Sequence, residues 1–204
     1  DKRYLEKWAM ESDCIGETLN RQADSFVTFT NSPASTTVSG LSHLAGRDVV
    51  VWQDGVCPED SSGNPKLFTV SASGTITLDT AAKTGIVGLQ YWAEFQSGKL
   101  PYAASLGTAL GQRQRISKIA LMLVNTHARG LRYGSDFNDM SNLPLVVEGR
   151  AVNTDEIRVG LELEAVTFPG ESSVGARLCL EGLAPRPVTV SAAIIGIATH
   201  DTAP

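Results

Sequence analysis

The stretch from Gly107 to Phe137 reads GTALGQRQRISKIALMLVNTHARGLRYGSDF. A basic entry (Arg113, Arg115, Lys118) leads into a long alternating apolar run, and a Gly-rich, charged turn follows. On an extended chain Ile116, Lys118, Ala120, Met122 and Val124 fall on one face. Ser117, Ile119, Leu121, Leu123 and Asn125 fall on the other. Strand side chains alternate with period two, so the run reads as a strand buried mostly on one side. It supplies no nucleophile, no metal-ligand cluster and no phosphate cradle. Gly107 and Gly111 do not make a P-loop, because no Gly-Lys-Ser or Gly-Lys-Thr follows. The segment is suited to packing and assembly.

The same period recurs on both sides of it. Ser25–Thr30, Val49–Trp52, Leu67–Ser71, Thr75–Leu78 and Thr84–Tyr91 read as strands before it. Leu145–Val147, Asp155–Leu163, Ala176–Leu180 and Val188–Ala198 read as strands after it. Asp54-Gly55 is a hairpin signal, since both residues tolerate positive φ. In Asp155–Leu163, Ile157, Val159, Leu161 and Leu163 point one way, and Arg158, Gly160 and Glu162 point the other. Tyr4, Leu5, Trp8 and Ala9 recur at helical spacing, so residues 1–14 read as a short helix or a connector.

These observations predict an all-β chain, a β-sandwich with a small β-barrel-like or sandwich insert subdomain. The expected organisation is an N-terminal connector over 1–35, the insert over 36–85 and the larger sandwich over 86–204. The boundary near 85 rests on a change from short, closely spaced strands to longer ones with larger loops. No repeat of fixed period is present.

The 204 residues are 42% apolar and 19% charged, which fits a globular chain, and the 19 glycines fit strands joined by tight turns. A formal net charge of −5 argues against nucleic acid as a specific partner, because such modules are usually basic. No apolar run approaches the roughly 18 residues of a membrane-spanning helix. The chain opens on Asp1-Lys2-Arg3 without an initiator Met, and is read as a segment of a longer protein.

The residues that carry chemistry are dispersed. Cys14, Cys57 and Cys179 are odd in number and lack ligand spacing. His43, His127 and His200 stand 84 and 73 residues apart. The carboxylate pairs Glu59-Asp60 and Asp155-Glu156 lie in turn-like contexts, where Asp solvates the backbone. No cofactor, metal or enzymatic activity is expected. Arg113, Arg115 and Lys118 read as interface residues at a strand entry, with phosphate contact as the other possibility. Trp52, Tyr91, Trp92 and Phe95 could form an aromatic patch that stacks on sugar, or could serve as core and interface anchors.

Several elements in order carry a resemblance: GLSHLAGRDVVVWQDG, VSASGTITL, GIVGLQYWAEFQS, GQRQRISKIALMLVNTHARGLRYG and RPVTVSAAIIGI. Together they resemble the nozzle, or tail-tube terminal, proteins of short-tailed bacteriophages, a family also labelled packaged-DNA stabilisation proteins. The similarity covers about residues 36–200. It implies a structural virion segment in an oligomeric ring around the DNA channel, touching further copies and other tail proteins. It implies DNA passing nearby without specific binding, and no enzymatic site. The alternative is a receptor- or carbohydrate-binding β domain of a virion spike, which would use the aromatic patch.

Overall fold

The computed structural model describes residues 22–100, 103–104, 107–108, 113–147, 149–170 and 172–199. The helix or connector expected over 1–14 lies outside them, as do Cys14 and His200. The described residues form an all-β protein whose strands fall into two compact units.

The first unit holds residues 22–92 together with Leu183–Pro187. Its strands are β1 (Asp24–Val38), β2 (Asp48–Gln53), β3 (Phe68–Thr69) and β4 (Ile76–Leu89), in one sheet of order β1-β4-β2-β3. The pairings of β1 with β4, β2 with β4 and β2 with β3 are antiparallel. The Val49–Trp52 run explains the central position of β2. All four residues are buried, Val49 and Val51 in one cluster with Leu41, Leu44 and Val87, Val50 and Trp52 in another with Cys57 and Ile86. An unbroken apolar run is what a strand covered on both faces requires. Pro33 interrupts β1, and β1 is an edge strand, where a missing N–H costs least.

The Asp54-Gly55 turn forms as expected, with φ of 46° and 86°. Gln53 and Val56 exchange two backbone hydrogen bonds across it, 2.9 and 2.8 Å. Asp54 does more than turn the chain. Its Oδ2 accepts the Lys83 N–H at 3.0 Å, and its Oδ1 accepts the Thr84 N–H at 2.9 Å, locking the turn onto β4.

The second unit holds residues 93–182 and 188–199 of the described chain. Its strands start with β5 (Trp92–Gln96), whose first residue belongs to the first unit. β6 (Ala103–Ala104), β7 (Gly107–Thr108), β8 (Gln114–His127) and β9 (Leu131–Asp136) follow. Then come β10 (Asp139–Asn142), β11 (Val146–Val147), β12 (Arg150–Ala151), β13 (Ile157–Thr167), β14 (Cys179–Leu183) and β15 (Val190–Thr199). A sheet of order β13-β8-β15 and a sheet of order β10-β9-β14-β5 share one core. Ile119, Leu121 and Leu123 of β8 meet Leu131 and Tyr133 of β9 and Leu178 and Leu180 near β14, with Phe168 and Leu143 closing the cluster. This is the sandwich: two inner faces interdigitating across one apolar layer.

Strand β8 differs from an ideal alternation. Ile116 is buried with Ile119, Leu121 and Leu123, although simple alternation puts it on the opposite face. The pairing of β8 with β15 slips between Gly196 and Ile197, and that with β13 slips between Glu162 and Val166. The β8–β15 slip carries one extra β8 residue, Ser117, and turns the side chains over. Gly196 sits opposite Lys118 at this point, and a Cβ there would lie 2.6 Å from Lys118 Cγ.

The expected boundaries shift. The 1–35 connector contains most of β1, which pairs along β4, and β4 runs through residue 85 to Leu89. Both ends of the 36–85 segment therefore lie inside paired strands. The segment Leu183–Pro187 joins the first unit because Arg186, buried, donates to Glu59 Oε1 and to the Gly63 carbonyl, both at 2.7 Å. The Gly-rich turn expected after β8 narrows to residues 128–130, where the Gly130 N–H donates to the His127 carbonyl at 2.8 Å, and the rest of that stretch is the β9–β10 hairpin, with Leu131 and Tyr133 in the core.

Two outcomes follow from these contacts. Leu121→Asp puts a charge into the sandwich core and costs several kcal/mol, comparable to a domain's margin of about 5–15 kcal/mol. Circular dichroism should show loss of the second unit's cooperative melt, and an unchanged melt would contradict this packing. The backbone donors Lys83 and Thr84 hold the Asp54 carboxyl below its ordinary 3.8, so its stabilisation is present above that value and lost as pH falls through the folded one. Urea unfolding of Asp54→Ala should show lower stability at neutral pH and a shallower acid-side fall than the parent.

Candidate functional site

Three groups of residues merit attention as a site: the outer face of the β13-β8-β15 sheet, the aromatic residues, and a cavity in the second unit.

The outer face is apolar where solvent would favour polar groups. Met122 and Val124 of β8 are 42% and 37% exposed, Ile194 of β15 is 59% and Val159 of β13 is 70%. The registers Met122↔Ala192 and Ala120↔Ile194 put these residues on one side, opposite the core-facing Leu121 and Ile119. In β13 Ile157 and Val159 face out. The guanidinium of Arg158 points in, donating to the Pro144 carbonyl at 2.6 Å. Arg113, Arg115 and Lys118 are all exposed. Arg115 and Lys118 lie at the N-terminal end of β8, opposite Ala198 and Gly196 of β15. The strand thus presents a basic end and an apolar end.

The structure does not gather the four aromatic residues. Trp52 is 3% exposed within a core cluster, so no ligand at the surface can stack on it. Tyr91 is half-buried and its hydroxyl donates to Gln22 Oε1 at 3.3 Å. Trp92 and Phe95 are exposed, three residues apart on β5, a spacing that sends them to opposite faces of a strand.

The scattered titratable groups have structural partners. Glu59 pairs with Arg186, and Asp60 Oδ1 caps its own loop by accepting the Ser62 and Asn64 N–H groups at 2.8 and 2.9 Å. The Asp155 N–H donates to Asn153 Oδ1 at 3.2 Å, completing a turn. His43 Nε2 lies 3.1 Å from the Ser25 carbonyl, and the Arg129 N–H donates to Nδ1 of the buried His127 at 3.1 Å. Cys57 and Cys179 are buried, and their thiols donate to the Pro58 and Ser135 carbonyls, each at 3.6 Å. Among the described residues no group of three or more His, Cys, Asp or Glu is placed to hold a metal ion. No helix among them is long and apolar enough to cross a membrane.

The cavity opens off the sandwich core and measures about 450 Å³. Phe95, Leu131, Leu180 and Val190 form apolar wall, while Glu181, next to Leu180 on β14, turns its side chain to the other face of the sheet, towards Arg132. Glu181 follows from the β14 register: it stands opposite Arg132 on β9, and Arg132 Nη1 is 3.6 Å from its Oε1. Glu181 is 5% exposed. Burial pushes its carboxyl above the ordinary 4.5, Arg132 opposes this and Glu94 adds to it. Sequence patterning missed this residue because Glu181 sits beside Leu180 in a short run with no motif. Its signal is a charged residue in a strand buried at every position.

A carboxyl whose folded value is raised favours the fold below its unfolded value, and that contribution is lost as pH rises through the folded value. The stability difference between Glu181→Gln and the parent should therefore grow in the variant's favour as pH rises from 4.5. Chemical denaturation at a series of pH values measures it, and a pH-independent difference would contradict the assignment.

Comparison of the chain with known protein families and with curated proteins finds no match.

Proposed function

We propose that this chain is a structural segment of a short-tailed phage tail, part of an oligomeric nozzle ring around the DNA channel, acting through subunit contacts. The observation that carries the reading is the apolar outer face formed by Met122, Val124, Ile194 and Val159. A contiguous apolar surface on a soluble sheet marks an interaction site. Its occupant in this reading is a further copy of the chain, with other tail proteins beyond the ring. The ordered resemblance from Gly40 to Ile195 supports the phage assignment. The protein's place would be the virion tail.

Arg113, Arg115 and Lys118 serve here as contact or register residues at the edge of that interface. The net charge of −5 supports a channel component that DNA passes without adhering, since like charge repels phosphate. No enzymatic step is part of this reading. The burial of Trp52 weighs against the sugar-stacking alternative.

Sedimentation analysis tests the reading. Met122→Glu combined with Ile194→Glu should leave circular dichroism unchanged and convert the assembled chain to monomer. Arg113→Ala with Arg115→Ala should weaken assembly with the fold intact. A parent chain that stays monomeric at every concentration would refute the role of the outer face. An Arg double variant that assembles normally but loses DNA affinity would make the basic entry a phosphate contact.

A further inference from the structure

The two sheets of the second unit's sandwich differ by one strand. The four-stranded sheet ends at β5, and the three-stranded sheet ends at β15. Ala93 and Phe95 of β5, Leu180 of β14, and Val190 and Ala193 of β15 line the one cavity of about 450 Å³. β14 is buried at every position, whereas Ala93, Glu94, Phe95 and Gln96 of the neighbouring β5 are all exposed. Phe95 lines the cavity and is still 55% exposed. Among the described residues no strand lies beyond β15 to cover it.

β15 also lacks the features that keep an edge strand from pairing. Val190–Thr199 runs for 10 residues without a charge or a proline. Edges are ordinarily blunted by Lys, Pro or brevity, because their unpaired N–H and C=O groups template a further strand. From Ala192 to Gly196 the register with β8 is unbroken, so this part of the edge is regular. Ala193 and Ile195 stand opposite Leu121 and Ile119 and face the core with them. That places the small Ala193 side chain at the cavity, with Ala93 and Gly182 as further small members of the wall.

We propose that an extended, uncharged peptide segment of another protein adds to the edge of β15 as a further strand, with alternate apolar side chains seated in the cavity. Strand addition answers both features at once. Backbone groups pair with the edge, and every second side chain points into the gap. A lipid or a hydrocarbon would fill the gap and leave the edge unpaired. A charged segment would find no counter-charge along β15, so the uncharged edge selects an uncharged donor. Every described strand of this chain already lies in a sheet, and the donor is therefore a different polypeptide.

A capped heptapeptide of alternating Thr and Val is the probe, titrated into the full chain by calorimetry and by amide chemical shift and exchange. It should bind saturably and slow amide exchange on β15 between Ala192 and Gly196. The same peptide N-methylated throughout keeps its valines and loses its donors. It should bind at least about tenfold more weakly, a difference of about 1.4 kcal/mol. Asp in place of the valines should abolish binding, and toluene should leave β15 exchange unchanged. Ala193→Phe fills the gap from within, and Ala93→Lys sets a charge at its exposed wall. Each should weaken the heptapeptide about tenfold or more with the melting curve retained. No saturable binding, equal binding of the N-methylated peptide, or full binding by both variants would overturn the proposal. Protection of the same amides that rises with chain concentration alone would put a second copy there and overturn the assignment to a different polypeptide. The titration reads the chain whether or not it assembles. Its failure leaves the outer-face reading standing, and a chain that binds the peptide yet stays monomeric refutes that reading alone.

Discussion

The second unit depends on the burial of one side of β8. Ile119, Leu121 and Leu123 pack against Leu131, Tyr133, Leu178 and Leu180, and this layer holds the two sheets face to face. Each of these side chains, fully buried, contributes about 1.5–3 kcal/mol, so the layer outweighs any surface interaction in the unit. The constraint also determines the opposite side. Once Leu121 and Leu123 point into the core, the alternation forces Met122 and Val124 outward, apolar or not. An apolar outer face on a strand that must keep its core register is therefore a property of the sequence and not a packing defect.

The first unit solves a different problem. Its central strand β2 is buried on both faces, and clusters on either side share the sheet. Its loops are then held by charge and turn geometry. Asp54 caps the hairpin onto β4, and the buried Arg186 holds the loop that carries Glu59 and Gly63. Removing either partner of the Arg186–Glu59 pair would strand the other in a poorly solvated place, which is why such pairs matter more when broken than when made.

Much of the fold was legible. The period-two runs located β8, β13 and β15, the unbroken Val49–Trp52 run located β2, and Asp54-Gly55 located its turn, because these signals are local. What was hidden is non-local. Thr75–Leu78 and Thr84–Tyr91 merge into the single strand β4 because β1 and β2 pair along it, which no local pattern records. Leu131 and Tyr133 looked like turn residues because glycines and charges surround them, and only the partner strand β14 fixes them as core. The register slip beside Lys118 is invisible in a sequence, so Ile116 was assigned to the wrong face. Of the candidate site residues, the exposure of Arg113, Arg115 and Lys118 was readable from their charge. The burial of Trp52 and the partner of Glu181 depend on strands distant in sequence.

The central claim is that the outer face of the β13-β8-β15 sheet is covered by another copy of the chain. Electron microscopy of the assembled particle tests it most directly, through the identity of the neighbours of Met122, Ile194 and Val159. The account predicts that a neighbouring copy buries these residues, with Arg113 and Arg115 at the margin of that contact. An assembled ring in which the same face lies open to solvent would contradict it.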